Sequence, residues 1–496
     1  MIWFRNLLPP IVAWLLLATA PLYAAANPTQ QPAAAGTRAA APTSPAALQA
    51  TLRALLTGSQ PELNQRYQQL GLVNGRAVQA FYAAQHYPTH WVRPGGWNPA
   101  ATQALHLLGQ AAEFGLDRNR YGWPHLLSLP DSLRRTTSRT DRQQQLALCE
   151  LRLTDALLRY TYHLRHGVLQ PHSLLPVAAL DSLLAHTTAL VLQRALQAPD
   201  FTRVLLAEQP AHRGYQQLQA AWSRALHSSA LDSARLMNDT TAGFRQVAIN
   251  LERYRWETAP DSAYAEVNIP AYRLQLMHGG RVLQTHRVVV GQPEWPTPVL
   301  SSRILVFVTA PEWRVPYSIA VREFLPELQR DPGYLYDHQY RLYDGRGRLI
   351  NPWHVNWHRI TPEKFTYAIR QRAGRTNALG SVVFYFPNQQ KVFLHDTPAR
   401  AAFSRPARAL SHGCVRVEHP LKLAEYLLRR EGRASDLRAM HASIRNQSKQ
   451  RFDLNTGLRV HLRYYTCEAE NGTLHFYPDI YRHDAALVAA LFNQSN

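Results

Sequence analysis

The chain is poor in sulfur, in lysine and in acidic residues, and each shortage excludes something. Cysteine occurs three times in 496 residues, at Cys149, Cys414 and Cys467. That is too few for a disulfide framework even in an oxidising compartment, and an odd count leaves at least one free thiol. Cys149 shares helical spacing with Leu153, Ala156 and Tyr160 and reads as a small core residue. Cys467 follows the strand-like run Leu458 to Tyr465 and also reads as packing. A bridge between these two fits the count, but nothing in the sequence argues for it. Beyond the first two dozen residues no run is long and apolar enough to span a bilayer. Zinc-finger spacing, basic-aromatic RNA motifs and internal repeats are absent.

Asp and Glu number 34 against 54 Lys and Arg, a formal charge of +20. A polycationic surface concentrates anionic partners: nucleic acid, anionic lipid or a carboxylate-rich wall polymer. Lysine stands only at Lys364, Lys391, Lys422 and Lys449, so the excess is nearly all arginine, and genome composition accounts for it equally well.

What is present begins with an export signal over 1–26. Arg5 supplies positive charge, Leu7 to Tyr23 is apolar, and Ala24, Ala25 and Ala26 offer a small-residue cleavage site. The rival reading is an uncleaved anchor with inner-membrane association, against which Pro9, Pro10 and Pro21 interrupt the run. Export removes most opportunity to meet DNA or RNA, so no nucleic-acid partner is expected. Residues 27–46 are low in complexity and read as a disordered linker. The length predicts two or three domains, and the 46% apolar content predicts real cores.

The expected fold class is α+β and multidomain. Residues 47–243 carry helical spacing, notably Gln145 to Arg165 closed by Gly167 and Pro171, and predict an all-helical scaffold domain. Trp91 and Trp97 read as packing rather than as ligand-stacking residues. From 244 to 435 the pattern turns to strands with peripheral helices. Gly279-Gly280 between Tyr272–Met277 and Val282–Val290 predicts a tight hairpin, and Ser302–Thr309 a further strand. Pro387 to Gln390 lies between Val382–Phe386 and Lys391–Leu394 and predicts a second hairpin that stops at His395. Pro420 opens a helix with Leu423, Ala424, Leu427 and Leu428 on its apolar face. Residues 436–496 read as an extension packing on the two domains.

The chemistry concentrates in His395-Asp396-Thr397-Pro398 and, after fifteen residues between His395 and Ser411, in Ser411-His412-Gly413-Cys414-Val415-Arg416. A thiol nucleophile needs a base, a group that orients the base, and donors for the oxyanion of a tetrahedral intermediate. His395, ending a strand, can face a loop that returns Cys414 beside it, and an imidazolium there would favour thiolate. Gly413 lets backbone approach a substrate and makes the Cys414 N–H an oxyanion donor.

This arrangement resembles the L,D-transpeptidase family, whose catalytic domain carries a His followed at similar spacing by Ser/Thr-His-Gly-Cys, a hydrophobic residue and Asn or Arg. The likeness extends to Asn250–Arg253, Val267–Tyr272, Arg287–Gly291, Asn377–Gly380 and Asp479–Tyr481, which look like the large periplasmic members with a helical scaffold domain. It covers the chain from about Ala80 onward. The resemblance implies Cys414 as the acylated nucleophile and His395 as the general base. It implies Asp396 as the residue that orients the ring, commonly through its backbone carbonyl, and Ser411, His412 and Gly413 as residues shaping the oxyanion region. Arg416, where many relatives have Asn, implies contact with a substrate carboxylate or, alternatively, a simple pair with Glu418. Many large members insert a peptidoglycan-binding module, but the roughly thirty residues between Pro210 and Gly243 are too few for a domain of about 50.

The resemblance further implies a periplasmic transferase acting on peptidoglycan stem peptides, without a cofactor or metal. It would form crosslinks between third residues through a Cys414 thioester. Water as acceptor makes it an L,D-carboxypeptidase and a protein lysine makes it an anchoring enzyme; a non-catalytic wall-binding scaffold is the alternative of another class. A zinc site from His395, His412 and Cys414 lacks a fourth ligand. His354 and His358 have helix-compatible spacing but lack the Glu of a metalloprotease motif. Trp353 to Arg375, rich in aromatic and basic residues, is a candidate substrate lid.

Overall fold

The computed structural model describes residues 44–169, 177–228, 243–258 and 261–492. The expected export segment and nearly all of the expected linker lie outside the described residues, as does most of the stretch between His227 and Gly243. Among the described residues no helix is long and apolar enough to cross a membrane.

The N-terminal half is helical and is organised by the helix Arg139–His166. Ser138 caps it by accepting from the Asp141 N–H, and Gly167 ends it at φ 88°. Glu150 sits fully buried in the middle of this helix, where a carboxylate requires donors. It receives them from the N–H groups of Trp91 and Val92, at 2.9 and 3.0 Å, and from the Tyr82 hydroxyl at 2.9 Å. Trp91, wholly buried, donates its indole N–H to Thr154, in keeping with a packing role. The all-helical expectation needs one correction. Val92–Arg93 and Gly96–Trp97 form a minimal antiparallel ladder, turned at Pro94 and Gly95, with Gly96 opposite Arg93 at φ 129°.

The β-rich half is built on nine strands. In chain order they are β1 Ala263–Asn268, β2 Arg273–His278, β3 Arg281–Gly291, β4 Leu300–Thr309, β5 Val382–Tyr385, β6 Leu394–His395, β7 Ala409–Ser411, β8 Val415–Val417 and β9 Gln450–Arg463. Their spatial order is β7-β3-β8-β6-β5-β4-β9-β1-β2, and β2 also pairs with β3, so the sheet closes on itself. Closure comes from the β2–β3 hairpin, where Gly279 and Gly280 both adopt positive φ, 54° and 75°. Inward-facing Val288, Phe307, Phe384, Leu394, Val415, Val417 and Val460 form the core, and each such side chain contributes about 1.5–3 kcal/mol by burial. The helix Pro420–Arg430 covers it with Leu423, Ala424, Leu427 and Leu428, as its spacing predicts.

The sequence reading ends the catalytic unit at 435, whereas β9 lies inside the sheet, antiparallel to β4 and parallel to β1. The chain beyond 435 thus supplies a central strand. A third core joins the halves: Phe244–Arg255 packs Val247, Leu251 and Tyr254 against Tyr215, Leu218 and Trp222 from the helix Arg213–Ser228, and against Tyr465 and Cys467.

Between β4 and β5 the chain leaves the sheet to build an insert with a core of its own. Phe324, Leu325, Leu328, Leu342, Trp357, Phe365 and Ile369 are buried together beneath a four-stranded sheet ordered 313–314, 368–371, 340–343, 349–350. Residues 353–375 form only its later part. His354 and His358 fall in separate 3-10 turns, so their helix-compatible spacing is not realised.

Candidate active site

The site is set by the register of three short strands. Strand β6 pairs with β5 antiparallel, Val383 opposite His395, and with β8 parallel, His395 opposite Arg416 and Leu394 opposite Val415. Side chains alternate faces along a strand. Leu394 and Val415 therefore point into the core, while Phe393, His395, Cys414 and Arg416 share the other face. Cys414 lies opposite Phe393 in this register and diagonal to His395. The Phe393 ring stands 5.5 Å from the His395 ring and 5.5 Å from that of Tyr385.

The His395 ring is oriented by one bond. Its Nδ1 lies 2.6 Å from the backbone carbonyl oxygen of Asp396. A carbonyl can only accept, so Nδ1 carries the proton and Nε2 keeps its lone pair. The Asp396 carboxylate is occupied elsewhere. It accepts from the Ser381 N–H and hydroxyl at 2.8 and 2.6 Å and from the Thr397 N–H at 2.8 Å, and it pairs with Arg400 at 2.7 Å. Gly380, at φ 61°, makes room for it; a Cβ there would come within 2.5 Å of the carboxylate carbon. Asp396 touches the imidazole through its backbone, and its side chain fixes that backbone.

Ser411, Gly413 and Cys414 form a tight turn. The Ser411 hydroxyl donates to the Cys414 carbonyl at 2.5 Å and accepts from the Gly413 N–H at 3.2 Å. Gly413 stands at φ 101°, a backbone state that excludes side chains. His412 points out of the turn toward the insert, where its Nε2 meets the Glu323 carboxylate and its ring lies 4.6 Å from that of Trp295. Arg322 sits over the other part of this cluster, 5.8 Å from the Trp295 ring. The insert thus reaches the motif through residues of the π-helical turn Ala320–Phe324, N-terminal to the segment that the sequence points to as a lid.

Electrostatics departs from expectation. Burial pushes the Cys414 thiol up to about 11, opposed by the Phe393 backbone and by the Arg416 charge. Burial, with the Arg416 charge adding to it, pushes His395 down to about 3. Both shifts favour the neutral thiol and the neutral imidazole at neutral pH, rather than the thiolate and imidazolium pair expected from the sequence. Desolvation makes both charged forms costly on this face.

Arg416 is half-buried and its alternative partner is taken. Glu418 is bound by Arg287, whose Nε and Nη2 reach it at 2.9 and 2.7 Å. Among the described residues Arg416 has no carboxylate within ion-pair distance. Tyr385 belongs to the same face: burial raises its hydroxyl above the usual tyrosine range, and Cys414 is near enough to add to the shift when ionised. Its place opposite Phe393 depends on pairing between β5 and β6, which the predicted hairpin already implies. Cys149 and Cys467 are packed side chains in the scaffold and in the third core, and all three cysteines are free.

Comparison with known proteins adds three findings. Residues 262–462 match the family model of the L,D-transpeptidase catalytic domain, and residues 76–221 match that of a scaffold domain. A Haemophilus influenzae protein named "Putative L,D-transpeptidase" is 35% identical over 250 residues, which span 50% of this chain and 50% of that relative. The chain thus spans about half the length of the curated relative it matches.

Proposed function

Because the chain belongs to the L,D-transpeptidase family, with a scaffold-domain match ahead of its catalytic-domain match, we propose that it transfers acyl groups between peptidoglycan stem peptides through a thioester on Cys414. The observation that carries this reading is the bond from His395 Nδ1–H to the Asp396 carbonyl, which leaves Nε2 free as a base on the face that also holds Cys414 and Arg416.

Cys414 attacks the carbonyl of the third residue of a donor tetrapeptide while its proton passes to His395 Nε2. Transfer and attack are concerted, because burial disfavours a separated thiolate and imidazolium. The carbonyl electron pair moves to oxygen, where the Cys414 N–H donates to it. Collapse of the intermediate breaks the bond to D-alanine, whose amine takes the proton from His395. A neighbouring stem amine, deprotonated by His395, then attacks the thioester, restores the thiol and leaves a crosslink between two third residues. Water or a protein lysine as acceptor shares the first half-reaction. Arg416 receives a substrate carboxylate, and the enzyme works outside the cytoplasmic membrane, where this polymer lies.

The reading is tested by intact mass after incubation with a carbapenem, which should acylate the protein but not Cys414→Ala. Defined tetrapeptide muropeptides should then yield crosslinked dimers identified by mass. An unmodified protein and unchanged muropeptides would leave a wall-binding scaffold as the better account.

A further inference from the structure

The oxyanion donor proposed above is a single peptide N–H, and its direction is fixed by a residue far from the motif in sequence. Thr297, in the loop between β3 and β4, is 1% exposed. Its hydroxyl accepts from the Gly291 N–H at 2.8 Å and lies 2.8 Å from the Gly413 carbonyl oxygen. With one lone pair used by an N–H and a carbonyl as its other partner, the hydroxyl proton must go to Gly413 O. The Gly413–Cys414 peptide is trans, as are the others among the described residues, so the Gly413 carbonyl and the Cys414 N–H point in opposite directions across one rigid plane. Holding the carbonyl holds the N–H. That N–H has no acceptor among the described residues, although the rest of the turn is internally bonded through Ser411.

Thr297 is itself held from the C-terminal segment. Tyr481 donates its hydroxyl to the Gly291 carbonyl at 2.6 Å and accepts from the Thr297 N–H at 3.1 Å. Its own backbone N–H donates to the Tyr464 hydroxyl at 2.7 Å, and that hydroxyl donates to Asp479 at 2.6 Å. The packing leaves no slack: a Cβ on Gly291 would stand 2.1 Å from the Trp295 carbonyl and 3.0 Å from the Gly413 Cα.

We propose that Thr297, braced by Tyr481, is a positioning residue that aims the Cys414 N–H at the oxyanion, so that the C-terminal segment completes the active site. The inference rests on the thioester reading. It predicts an effect on reactions that pass through an oxyanion and none on reactions of the same sulfur that do not.

The experiment compares two rates at Cys414 in the full chain: acylation by a carbapenem, which forms a tetrahedral oxyanion, and alkylation by iodoacetamide, a displacement at carbon that forms none. Thr297→Val should slow acylation by about tenfold to a hundredfold, short of the roughly 10²–10³ that outright loss of an oxyanion donor costs, while alkylation stays within about twofold. Thr297→Ser, which keeps the hydroxyl, should restore acylation. Tyr481→Phe, which leaves Thr297 in place, should give a smaller fall of the same kind. Equal acylation in wild type, Thr297→Val and Tyr481→Phe overturns the positioning role and leaves the thioester reading intact. Alkylation falling in step with acylation also overturns it, since the variants would then act on the thiol. A wild type that is alkylated but never acylated overturns the thioester reading and this proposal together.

Discussion

Arg287 binds Glu418 with both Nε and Nη2, at 2.9 and 2.7 Å, and so removes the carboxylate that sequence spacing offers to Arg416. Residues two apart on a strand share a face, but the residue on the neighbouring strand is the nearer partner. Arg416 is left half-buried, with desolvation lowering its pKa. A guanidinium in that state gains most from an anionic ligand.

Arg416→Met, which keeps much of the stem, should lower kcat/KM for a tetrapeptide donor by about tenfold to a hundredfold, the range for a lost hydrogen bond to a charged group. Arg416→Lys should recover only part, because an ammonium lacks the planar fork. Steady-state kinetics on the three proteins decides the matter, and an unchanged Arg416→Met would end the carboxylate-binding role.

The thiol at about 11 and the imidazole at about 3 set the pH behaviour of the free protein. Below its pKa the thiolate fraction grows about tenfold per pH unit. Alkylation of Cys414 by iodoacetamide should rise steadily between pH 7 and 9 without levelling. Arg416→Met should be slower at each pH, because the Arg416 charge favours thiolate. A plateau below pH 7 would instead mark a preformed thiolate and imidazolium pair.

How legible this was depends on distance along the chain. His395 on β6 and Arg416 on β8 face each other on adjacent strands only about twenty residues apart in sequence, so the motif carries most of its own geometry. The β2–β3 hairpin was equally plain, since Gly279-Gly280 admits the turn and little else. The central position of β9 was not, because its partners β4 and β1 lie well over a hundred residues upstream and the run after 435 carries no signal of where it pairs. Glu323 and Thr297 escaped for a related reason. Each is unremarkable in its own segment and meets the motif only after the insert or the β3–β4 loop has folded back. The neutral thiol and imidazole reflect burial, which a motif does not encode.

In the scaffold, Glu150 serves as a staple. Its carboxylate gathers the N–H groups of Trp91 and Val92 and the Tyr82 hydroxyl in a site with no solvent. Glu150→Ala should destabilise this half by about 3–5 kcal/mol, because buried donors lose their acceptor at about 1–3 kcal/mol each. The readout is the midpoint of the first unfolding transition. A shift of less than about 1 kcal/mol would mean that water or a rearranged loop replaces the carboxylate.

Glu266 on β1 gives a prediction whose sign depends on pH. It lines a small polar cavity with His212, Arg213, Tyr254, Arg273 and Glu468, where the helix Arg213–Ser228 meets the sheet. Burial pushes it up to about 8, and Glu468 nearby adds to the effect against the opposing charges of Arg463 and Arg273. His212, 3.9 Å away, offers no charge at neutral pH because burial holds it down at about 4. Unfolded, the carboxyl ionises near its ordinary value. Between that value and 8 the unfolded chain has released a proton that the folded chain keeps, so rising pH favours unfolding. The contribution of Glu266 is complete below about 4.5 and is lost as pH approaches 8. Glu266→Gln keeps the shape and cannot ionise, so it escapes this loss. Its melting temperature should match wild type near pH 4.5 and exceed it progressively toward pH 8, with a stability difference on the order of a few kcal/mol. Melts at pH 4.5, 6 and 8 measure the trend, and a difference that stays constant across them would show that the carboxyl is ionised in the folded protein throughout.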